Sequence, residues 1–320
     1  MTGKILGTGS YIPDRTVENN DLAKLVDTND AWIRERTGIE CRHLAEGETT
    51  SAMASRAARK ALENGKILPE EIDLILVATS TPDIIFPCVA CRVQKEIDAV
   101  NAVCFDLNAA CSGFLFAYQT AQAYIQAGLY QKVLLIGADS MSQMVDWSDR
   151  GTCILFGDGA GAAVLSAEET GLSIHAAHSD GARGDVLTGM SRHRKGWQQP
   201  EKIKESFIHM DGQSVFKFAV RSVPEIVEEL LEKAGIGREE IDYFFLHQAN
   251  QRIIQAAAKR IGADISRFPM NLQEYGNTSA ASIPILLDEW NRKGCLKRGN
   301  KLIFAGFGAG LSWAGSLLEW

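Results

Sequence analysis

The sequence predicts a duplicated, layered α/β fold, in which one structural unit occurs twice. Residues 70–77 resemble residues 239–246, and residues 131–137 resemble residues 300–306. Both matches have the same offset of 169 residues. Two separate matches at one offset are hard to obtain by chance in a chain without low-complexity bias. We therefore infer an internal repeat.

The two copies are predicted to cover residues 1–168 and 169–320. In each copy a charge-bearing helical stretch, residues 52–64 or 215–234, precedes the first matching strand. No Pro- or Ser-rich linker separates the copies, so we expect their sheets to share a core. Four apolar runs are predicted to be strands buried on both faces under helices: residues 74–78, 103–107, 133–137 and 302–305.

Composition and charge exclude several classes of protein. Hydrophobic residues make up 46% of the chain and charged residues 23%, as in globular proteins. No apolar run approaches the ~18 residues of a membrane span, and no export signal is recognisable. Seven cysteines at scattered spacings favour a reducing compartment, so we expect a cytoplasmic protein. A net charge of −7 argues against nucleic-acid binding.

The stretch around Cys111 has the pattern of a reactive cysteine. The predicted strand ends at Leu107, small residues follow, and residues 114–127 form a helical pattern that Gly128 closes. Cys111 therefore lies where a strand turns into a helix. Free backbone N–H groups and the helix dipole favour a thiolate at such a point. A packing role is the alternative, because buried free cysteines are common.

The other cysteines are weaker candidates. Cys104 falls inside a predicted strand. Cys88 and Cys91 form a Cys-x-x-Cys without a second pair or a nearby histidine, so we expect structural packing there. Three more lack a helix-start context: Cys41, Cys153 and Cys295.

His247 directly follows the predicted strand 243–246 and precedes the predicted helix 251–261. The end of a buried strand is where open α/β sheets place functional groups. The counterpart of His247 in the first copy is Ala78, so the fold itself does not require a histidine there. A structural histidine is the alternative, and the repeat favours function.

Asn277 lies in a turn of small residues, three positions before Ala280, the counterpart of Cys111. A helix cap is the alternative role for this asparagine. The glycine-rich residues 306–310 allow close backbone approach to a ligand and offer N–H groups to an oxyanion. Residues 157–161 are also glycine-rich, but they lack the G-x-G-x-x-G spacing and lead into a strand-like run, so no dinucleotide site is expected.

Cys111, His247 and Asn277 in these settings resemble the Cys-His-Asn triad of the β-ketoacyl-acyl carrier protein synthase III family, which is part of the thiolase-like superfamily. The resemblance runs nearly end to end and includes five specific strings: residues 7–13, 32–39, 155–164, 247–250 and 276–284. It implies a thiolase-like α-β-α-β-α layered fold with two pseudo-symmetric halves.

The resemblance also implies a reaction. An acyl-coenzyme A, typically acetyl-CoA, acylates Cys111; malonyl-acyl carrier protein then loses CO₂, and its enolate attacks the acyl thioester. His247 and Asn277 would hydrogen bond to the malonyl thioester oxygen, and the backbone N–H groups of Cys111 and Ala309 would form the oxyanion hole. Many relatives have glycine in place of Ala309. Coenzyme A enters as a substrate, and no cofactor or metal is implied.

Further residues are assigned by the same resemblance. Trp32 and Arg150 would enclose the adenine of coenzyme A, with Arg36 near its phosphate. Phe86 and Phe307 are expected at the acyl pocket, and Phe86 would reach across a homodimer interface to the partner's pocket.

A basic face is expected to bind the carrier protein. Arg252 and Lys259 are seven residues apart on a predicted helix and therefore share a face, with Arg260 beside them. A basic face on an acidic protein suits an acidic carrier protein. The resemblance adds Lys217 to this docking surface and makes Arg252 its main residue.

Four alternatives compete with this interpretation. A degradative thiolase needs a second cysteine in the loop of residues 306–310, which has none. Elongating synthases need a histidine where this chain has Asn277. A type III relative that uses another primer or serves secondary metabolism stays open, because pocket volume determines primer choice. A non-catalytic carrier-docking paralogue is disfavoured by the intact triad.

Overall fold

The structure, a computed structural model, describes residues 1–189 and 207–320. The strands in these ranges are β1 Thr2–Tyr11, β2 Arg15–Glu18, β3 Cys41–Leu44, β4 Leu74–Ala78, β5 Val103–Leu107, β6 Lys132–Ser140, β7 Asp158–Glu168, β8 Ser173–Ser179, β9 Leu187–Thr188, β10 His209–Met210, β11 Tyr243–Leu246, β12 Lys301–Gly308 and β13 Ser312–Glu319. The α-helices are α1 Asn19–Leu22, α2 Asp30–Thr37, α3 Thr50–Gly65, α4 Val89–Ile97, α5 Gly113–Gln126, α6 Arg150–Cys153, α7 Gly212–Ala234, α8 Gln251–Ile261, α9 Leu272–Tyr275 and α10 Ser282–Arg292.

Two mixed sheets organise these elements. The first has the order β1-β7-β6-β4-β5, with β4 parallel to both of its neighbours and β7 antiparallel to β1 and β6. The second has the order β11-β12-β13-β8, with β11 parallel to β12 and the other pairs antiparallel. The first sheet takes its strands from residues 2–168 and the second from residues 173–319. Two small sheets, β2-β3 and β9-β10, lie beside them.

The repeat is visible in individual hydrogen bonds. The N–H of Lys132 donates to the Asp73 carboxylate at 2.9 Å, and the N–H of Lys301 donates to the Asp242 carboxylate at 2.8 Å. These four residues are related by the offset of 169. Each aspartate joins the start of the first matching strand to the start of the second. Each half therefore contains the same local contact between its two matching strands.

Helices and sheets alternate in five layers. Helices α5 and α10 lie between the sheets, where Phe114 and Leu286 pack with Leu135 of the first sheet and with Phe245 and Phe304 of the second. Helices α3 and α4 cover the outer face of the first sheet, and α7 and α8 cover that of the second. The predicted α-β-α-β-α layering and the shared core are confirmed.

The predicted strands 74–78, 103–107 and 243–246 and the helix 251–261 have the observed bounds. The prediction that every such strand is buried on both faces was wrong for β5. This strand pairs only with β4, so it forms the edge of the sheet, and Val103 is 50% exposed. At the equivalent place in the second half the chain forms the short helix α9 instead. No helix in the described ranges is long and apolar enough to cross a membrane.

Candidate active site

Cys111 lies in a strained turn between β5 and α5. The turn, Ala110–Ser112, has 3₁₀ geometry, and Ala110 has φ +48°. Its counterpart Ser279 has φ +52° in the equivalent turn before α10. Left-handed conformations of non-glycine residues cost energy and concentrate at functional sites. The repeat thus retains two matching strained turns, and they pack against each other at the centre of the molecule.

One cavity of about 970 Å³ brings the predicted residues together. Cys111 comes from the first half, and His247 and Asn277 come from the second. Phe307 and Ala309 line the same cavity. This volume lies at the upper end of the range for small-molecule sites.

Cys111 differs from the sequence-based expectation in its protonation. Burial raises the pKa of the Cys111 thiol to about 11, and the Asp139 carboxylate nearby also raises it. The expected stabilisation of a thiolate at the helix start is therefore outweighed by the loss of hydration. The surroundings of Cys111 therefore favour the thiol, from which acyl transfer has to remove a proton.

His247 is a neutral imidazole. Burial lowers its pKa to about 3. Its Nδ1 lies 2.7 Å from the Ser282 hydroxyl, which also accepts the N–H of Gln248 at 3.4 Å. A hydroxyl that accepts this N–H can donate its own proton to Nδ1, which puts the imidazole proton on Nε2. The histidine can then act as a hydrogen-bond donor through Nε2.

Asn277 is fixed by its backbone and by its side-chain oxygen. Its N–H donates to the Leu155 carbonyl at 2.8 Å, and its carbonyl accepts the N–H of Gly157 at 3.0 Å. Its Oδ1 accepts the N–H of Ser279 at 2.9 Å. Because the oxygen is engaged, the amide NH₂ is the group left to donate to a ligand. The string of residues 155–164 thus holds Asn277 in place.

The glycine-rich loop allows β12 to approach the nucleophile turn. A Cβ on Gly308 would lie 2.9 Å from the backbone nitrogens of both Cys111 and Ser112, and a Cβ on Gly306 would lie 3.0 Å from the Cβ of His247. No side chain fits at such distances. Ala309 is not among the described non-glycine residues with positive φ, so its N–H remains a suitable donor despite the Cβ.

The three residues expected to bind coenzyme A lie together at the surface. The guanidinium of Arg150 lies 5.0 Å from the Trp32 ring centroid, and that of Arg36 lies 5.5 Å from it. Arg150 also donates to the Asp27 carbonyl at 3.0 Å. These are cation–π distances, so both guanidinium groups lie against the indole ring.

The expected carrier-binding residues are exposed, but they differ in their interactions with neighbouring side chains. Arg260 lies 3.7 Å from the Glu225 carboxylate, which reduces its attraction for an acidic partner. Arg252 lies 5.7 Å above the Phe216 ring. Within the described ranges Arg252 and Lys217 are not in an ion pair.

Phe86 does not line the cavity within the described part of this single chain. It is 82% exposed, and Ile84 and Ile85 beside it are also exposed. Ile85 and Cys88 do reach the cavity wall, and the Cys88 sulfur lies 3.5 Å from that of Cys91. Cys88 is therefore part of the cavity as well as of the packing expected from sequence.

Sequence analysis missed three residues: Asp139, Ser279 and Ser282. Ser279 and Asp139 could have been found by comparing the halves, because their counterparts are Ala110 and Gly308. Ser282 gave no such signal, since a serine at a helix start is ordinarily a cap. Among residues 1–189 and 207–320, no group of histidine, cysteine and acidic residues is arranged to hold a metal ion.

Two family models match the chain. The model of 3-oxoacyl-[acyl-carrier-protein] synthase III matches residues 105–181, and its C-terminal model matches residues 231–320. The Clostridium acetobutylicum protein named beta-ketoacyl-[acyl-carrier-protein] synthase III is 48% identical over 319 residues, which is 99% of this chain and 98% of that protein.

Solved structures give the same result. The 3-oxoacyl-[acyl-carrier-protein] synthase III from Aquifex aeolicus is 43% identical, with a TM-score of 0.92 over 99% of this chain and 100% of that one. The priming beta-ketosynthase of the R1128 polyketide pathway is 36% identical, with a TM-score of 0.92 over 99% of this chain and 96% of that one.

Proposed function

The chain belongs to the 3-oxoacyl-[acyl-carrier-protein] synthase III family and is a condensing acyltransferase, and we propose that Cys111, His247 and Asn277 carry its reaction. The enzyme joins an acyl-CoA primer to malonyl-acyl carrier protein and so initiates fatty acid synthesis. The observation that carries the proposed roles is that three polar residues from non-equivalent positions of two similar halves line one cavity. We propose acetyl-CoA as the primer.

In the first half-reaction Cys111 attacks the acyl thioester, and coenzyme A leaves. The tetrahedral oxyanion lies between the N–H groups of Cys111 and Ala309. The close packing of Gly308 against the Cys111 nitrogen supports this assignment, because it brings the backbone next to Ala309 close to that of Cys111. Thioester exchange needs no other energy source, since a thioester is exchanged for another thioester.

In the second half-reaction the malonyl thioester oxygen accepts hydrogen bonds from the His247 Nε2–H and the Asn277 NH₂. The low pKa of His247 supports a neutral donor, which stabilises the enolate without protonating it. As CO₂ leaves, the enolate carbon attacks acyl-Cys111, forming the C–C bond and releasing the Cys111 sulfur. The product is a 3-oxoacyl thioester of the carrier protein.

The substrates are assigned to two neighbouring surfaces. Trp32, Arg36 and Arg150 are proposed to hold the adenine and phosphate of coenzyme A. Arg252 is proposed to lead the carrier-docking face, with Lys217, Lys259 and Arg260. A small opening lined by Arg36 and Arg252 supports phosphate binding between these surfaces, where the phosphopantetheine arms of both substrates would enter.

A homodimer is proposed to complete the acyl pocket. The exposed loop with Ile84, Ile85 and Phe86 adjoins the exposed edge strand β5. An apolar loop beside an unpaired strand edge is a typical surface for association. Phe86 would enter the partner's cavity, and Phe307 would line the same pocket from within the chain.

All seven cysteines are free, which supports a reducing compartment such as the cytoplasm.

Intact-mass measurement tests the proposal most directly. After incubation with acetyl-CoA, the wild type and Cys295→Ser should each gain one acetyl group, while Cys111→Ser should gain none. A series of longer and branched acyl-CoAs, followed by malonyl-carrier, would identify the primer. Absence of any adduct on Cys111 would support the non-catalytic docking paralogue instead. A clear preference for a long primer would support the secondary-metabolism relative, which the likeness to the polyketide-priming enzyme keeps open.

The carrier-docking assignment has a separate test. Arg252→Glu should raise the KM for malonyl-carrier and leave self-acylation from acyl-CoA unchanged, since only the carrier meets this face. Arg15→Glu, an exposed change in the β2 strand, is the control. Equal loss of both activities in Arg252→Glu would contradict the assignment.

A further inference from the structure

Two buried serines join the nucleophile turn to the glycine-rich loop. Ser112 and Ser312 are 0% and 6% exposed, and their hydroxyl oxygens lie 2.8 Å apart. Ser112 Oγ lies 2.7 Å from the carbonyl oxygen of Ala109, and Ser312 Oγ lies 3.1 Å from that of Ala309. A row of four oxygen atoms within hydrogen-bonding distance therefore runs from the turn of Cys111 to the loop.

Each hydroxyl has one proton to donate, so two protons serve these three contacts. If Ser112 donates to Ser312, Ser312 can donate to Ala309; if Ser112 donates to Ala109, Ser312 can donate to Ser112. The third arrangement, with both protons on carbonyl oxygens, would leave two hydroxyl oxygens 2.8 Å apart without a proton between them. The two serines are therefore bonded to each other, as expected of buried hydroxyls.

The Ser312 hydroxyl is the anchor of Ala309. Among the residues that the structure describes, none forms a backbone hydrogen bond with the N–H or the C=O of Ala309. The other end of the loop is fixed differently, because Leu311 and Asp180 exchange two backbone hydrogen bonds, at 2.8 and 3.0 Å. The contact with Ser312 therefore decides where Ala309 lies.

The repeat shows that the fold does not require this link. The counterpart of Ser112 in the second half is Ala281. Strand pairing places Ser312 opposite Gly308 and, in the first half, Gly159 opposite the counterpart of Gly308. Gly159 is therefore the counterpart of Ser312. Neither counterpart has a hydroxyl.

The N–H groups at the equivalent loop positions also differ. The counterpart of Ala309 is Ser140, whose N–H donates to the Thr81 hydroxyl at 2.8 Å. Within the described part of the chain, no atom accepts a hydrogen bond from the Ala309 N–H. The serine link thus occurs in the half-site whose loop N–H is left for a ligand.

We propose that the Ser112–Ser312 pair positions the oxyanion hole. This inference rests on the proposed function. Ser112 directly follows Cys111, which supplies the first N–H donor, and Ser312 contacts Ala309, which supplies the second. The pair thus holds both donors at a fixed separation. Donors fixed in advance where charge develops stabilise it without a cost of reorganisation.

The two half-reactions depend on the pair to different degrees. Acyl transfer to Cys111 forms an oxyanion between the two N–H groups, whereas decarboxylation places its enolate oxygen on His247 and Asn277. Loss of a serine hydroxyl should therefore slow acyl transfer and spare decarboxylation. A general loosening of the fold would slow both.

The test compares Ser312→Ala, Ser112→Ala and the double variant with the wild type and with Ser316→Ala. Ser316 is a fully buried serine of the same strand, β13, whose hydroxyl lies 3.0 Å from the His175 ring and which does not line the cavity. Acylation of Cys111 is measured in a single turnover as a function of acetyl-CoA concentration. Decarboxylation of malonyl-carrier without primer is the second readout.

In Ser312→Ala, acylation at saturating acetyl-CoA should fall about 10-fold, because a displaced donor stabilises the oxyanion less. Ser112→Ala should lose about threefold, since the bond from Ser312 to Ala309 remains. The double variant should match Ser312→Ala, because the second change then breaks a link that is already lost. Decarboxylation and the KM for acetyl-CoA should change little in any variant, and Ser316→Ala should acylate like the wild type.

Three results would overturn the positioning role. The first is wild-type acylation in Ser312→Ala, and the second is an equal loss of acylation and decarboxylation. The third is a double variant whose loss is the product of the two single losses, because the serines would then act independently. If Ser312→Ala does not fold, Ser112→Ala decides the question through the same two rates.

The positioning role and the proposed function fail separately. If no acyl-CoA acylates the wild type, the proposed function fails, and crystal structures of the wild type and Ser312→Ala then test the pair. Ala309 should lie farther from Cys111, or be less well ordered, in the variant. The same position and order of Ala309 in both structures would count against the pair.

Discussion

Gly308→Ala should disable the oxyanion hole while the triad stays intact. The added Cβ would lie 2.9 Å from the nitrogens of Cys111 and Ser112 and 3.3 Å from the Ala109 carbonyl. Ordinary contacts of a Cβ begin at 3.4 Å, so β12 and the nucleophile turn must separate by about 0.5 Å. All three atoms belong to the backbone, and therefore no flexible side chain can yield instead.

That displacement has a calculable effect on the Ala309 donor. A hydrogen bond of about 2.9 Å to the oxyanion lengthens to about 3.4 Å, outside the range of good N–H···O geometry. Loss of one oxyanion donor costs about 100-fold in rate, or about 2.7 kcal/mol of transition-state stabilisation. We also expect the tighter packing to lower the free energy of unfolding by about 1–3 kcal/mol.

Single-turnover acylation of Cys111 measures the effect, with malonyl-carrier decarboxylation measured in parallel. Acylation should fall about 100-fold, and decarboxylation should stay within a few-fold of wild type, because His247 and Asn277 supply its donors. Gly181→Ala is the matched control, since its added Cβ meets no atom within 4 Å. Wild-type acylation by Gly308→Ala would refute the reasoning, and so would an equal loss of both activities.

Three further predictions follow from single residues. Acidification from pH 7.5 to 5 should lower the free energy of unfolding, because His247 keeps a pKa of about 3 in the fold while an unfolded histidine binds a proton below about pH 6.5. The unfolded state then binds more protons, so stability is lost as the pH falls from about 6.5 towards about 3. Urea titrations should show that the free energy of unfolding falls by about 2 kcal/mol less between pH 7.5 and pH 5 in His247→Gln than in the wild type. Trp32→Ala should raise the KM for acyl-CoA about 10-fold and leave carrier decarboxylation unchanged. The control variant Trp32→Phe should retain most of the acyl-CoA binding. A normal KM in Trp32→Ala would contradict stacking of the adenine on Trp32. Phe86→Asp should convert a dimer to a monomer in light scattering, while Ile265→Asp, also at an exposed apolar residue, should not. If both variants remain dimers, Phe86 is not part of the interface.

Much of the fold could be predicted because the repeat supplied information that single elements lack. The strand at residues 74–78 is apolar at every position, and its match at residues 243–246 has the same pattern, so each supported the other. The edge position of β5 was missed, because four of the five residues of Val103–Leu107 are apolar, as in an interior strand, and Asp106 by itself does not indicate an edge. Apolarity does not distinguish a strand covered within its own chain from one left at the edge of a sheet.

Part of the candidate site could likewise be predicted from the sequence, and part could not. His247 could be predicted from its position at the end of a strand and from its different counterpart, Ala78. Asn277 could be predicted from its place in a turn of small residues before a helix, although its counterpart Asn108 is also an asparagine. The protonation of Cys111 could not, because the helix start and the burial act in opposite directions and only the packed structure gives the degree of burial. The hydrogen bond from the Ala280 N–H to the Asp139 carboxylate joins residues 141 positions apart, and no local pattern indicates such a contact.

The sequence by itself determined the repeat, the order of helices and strands, the residue types of the triad and the family. These depend on periodicity and on the identity of residues, which can be recognised along the sequence without knowledge of tertiary contacts. The tertiary structure decided which residues of the two halves meet, which strand is left at an edge and which groups lose their water. Hydration and electrostatic interactions depend on every neighbour within a few ångströms, and most of those neighbours are distant in sequence.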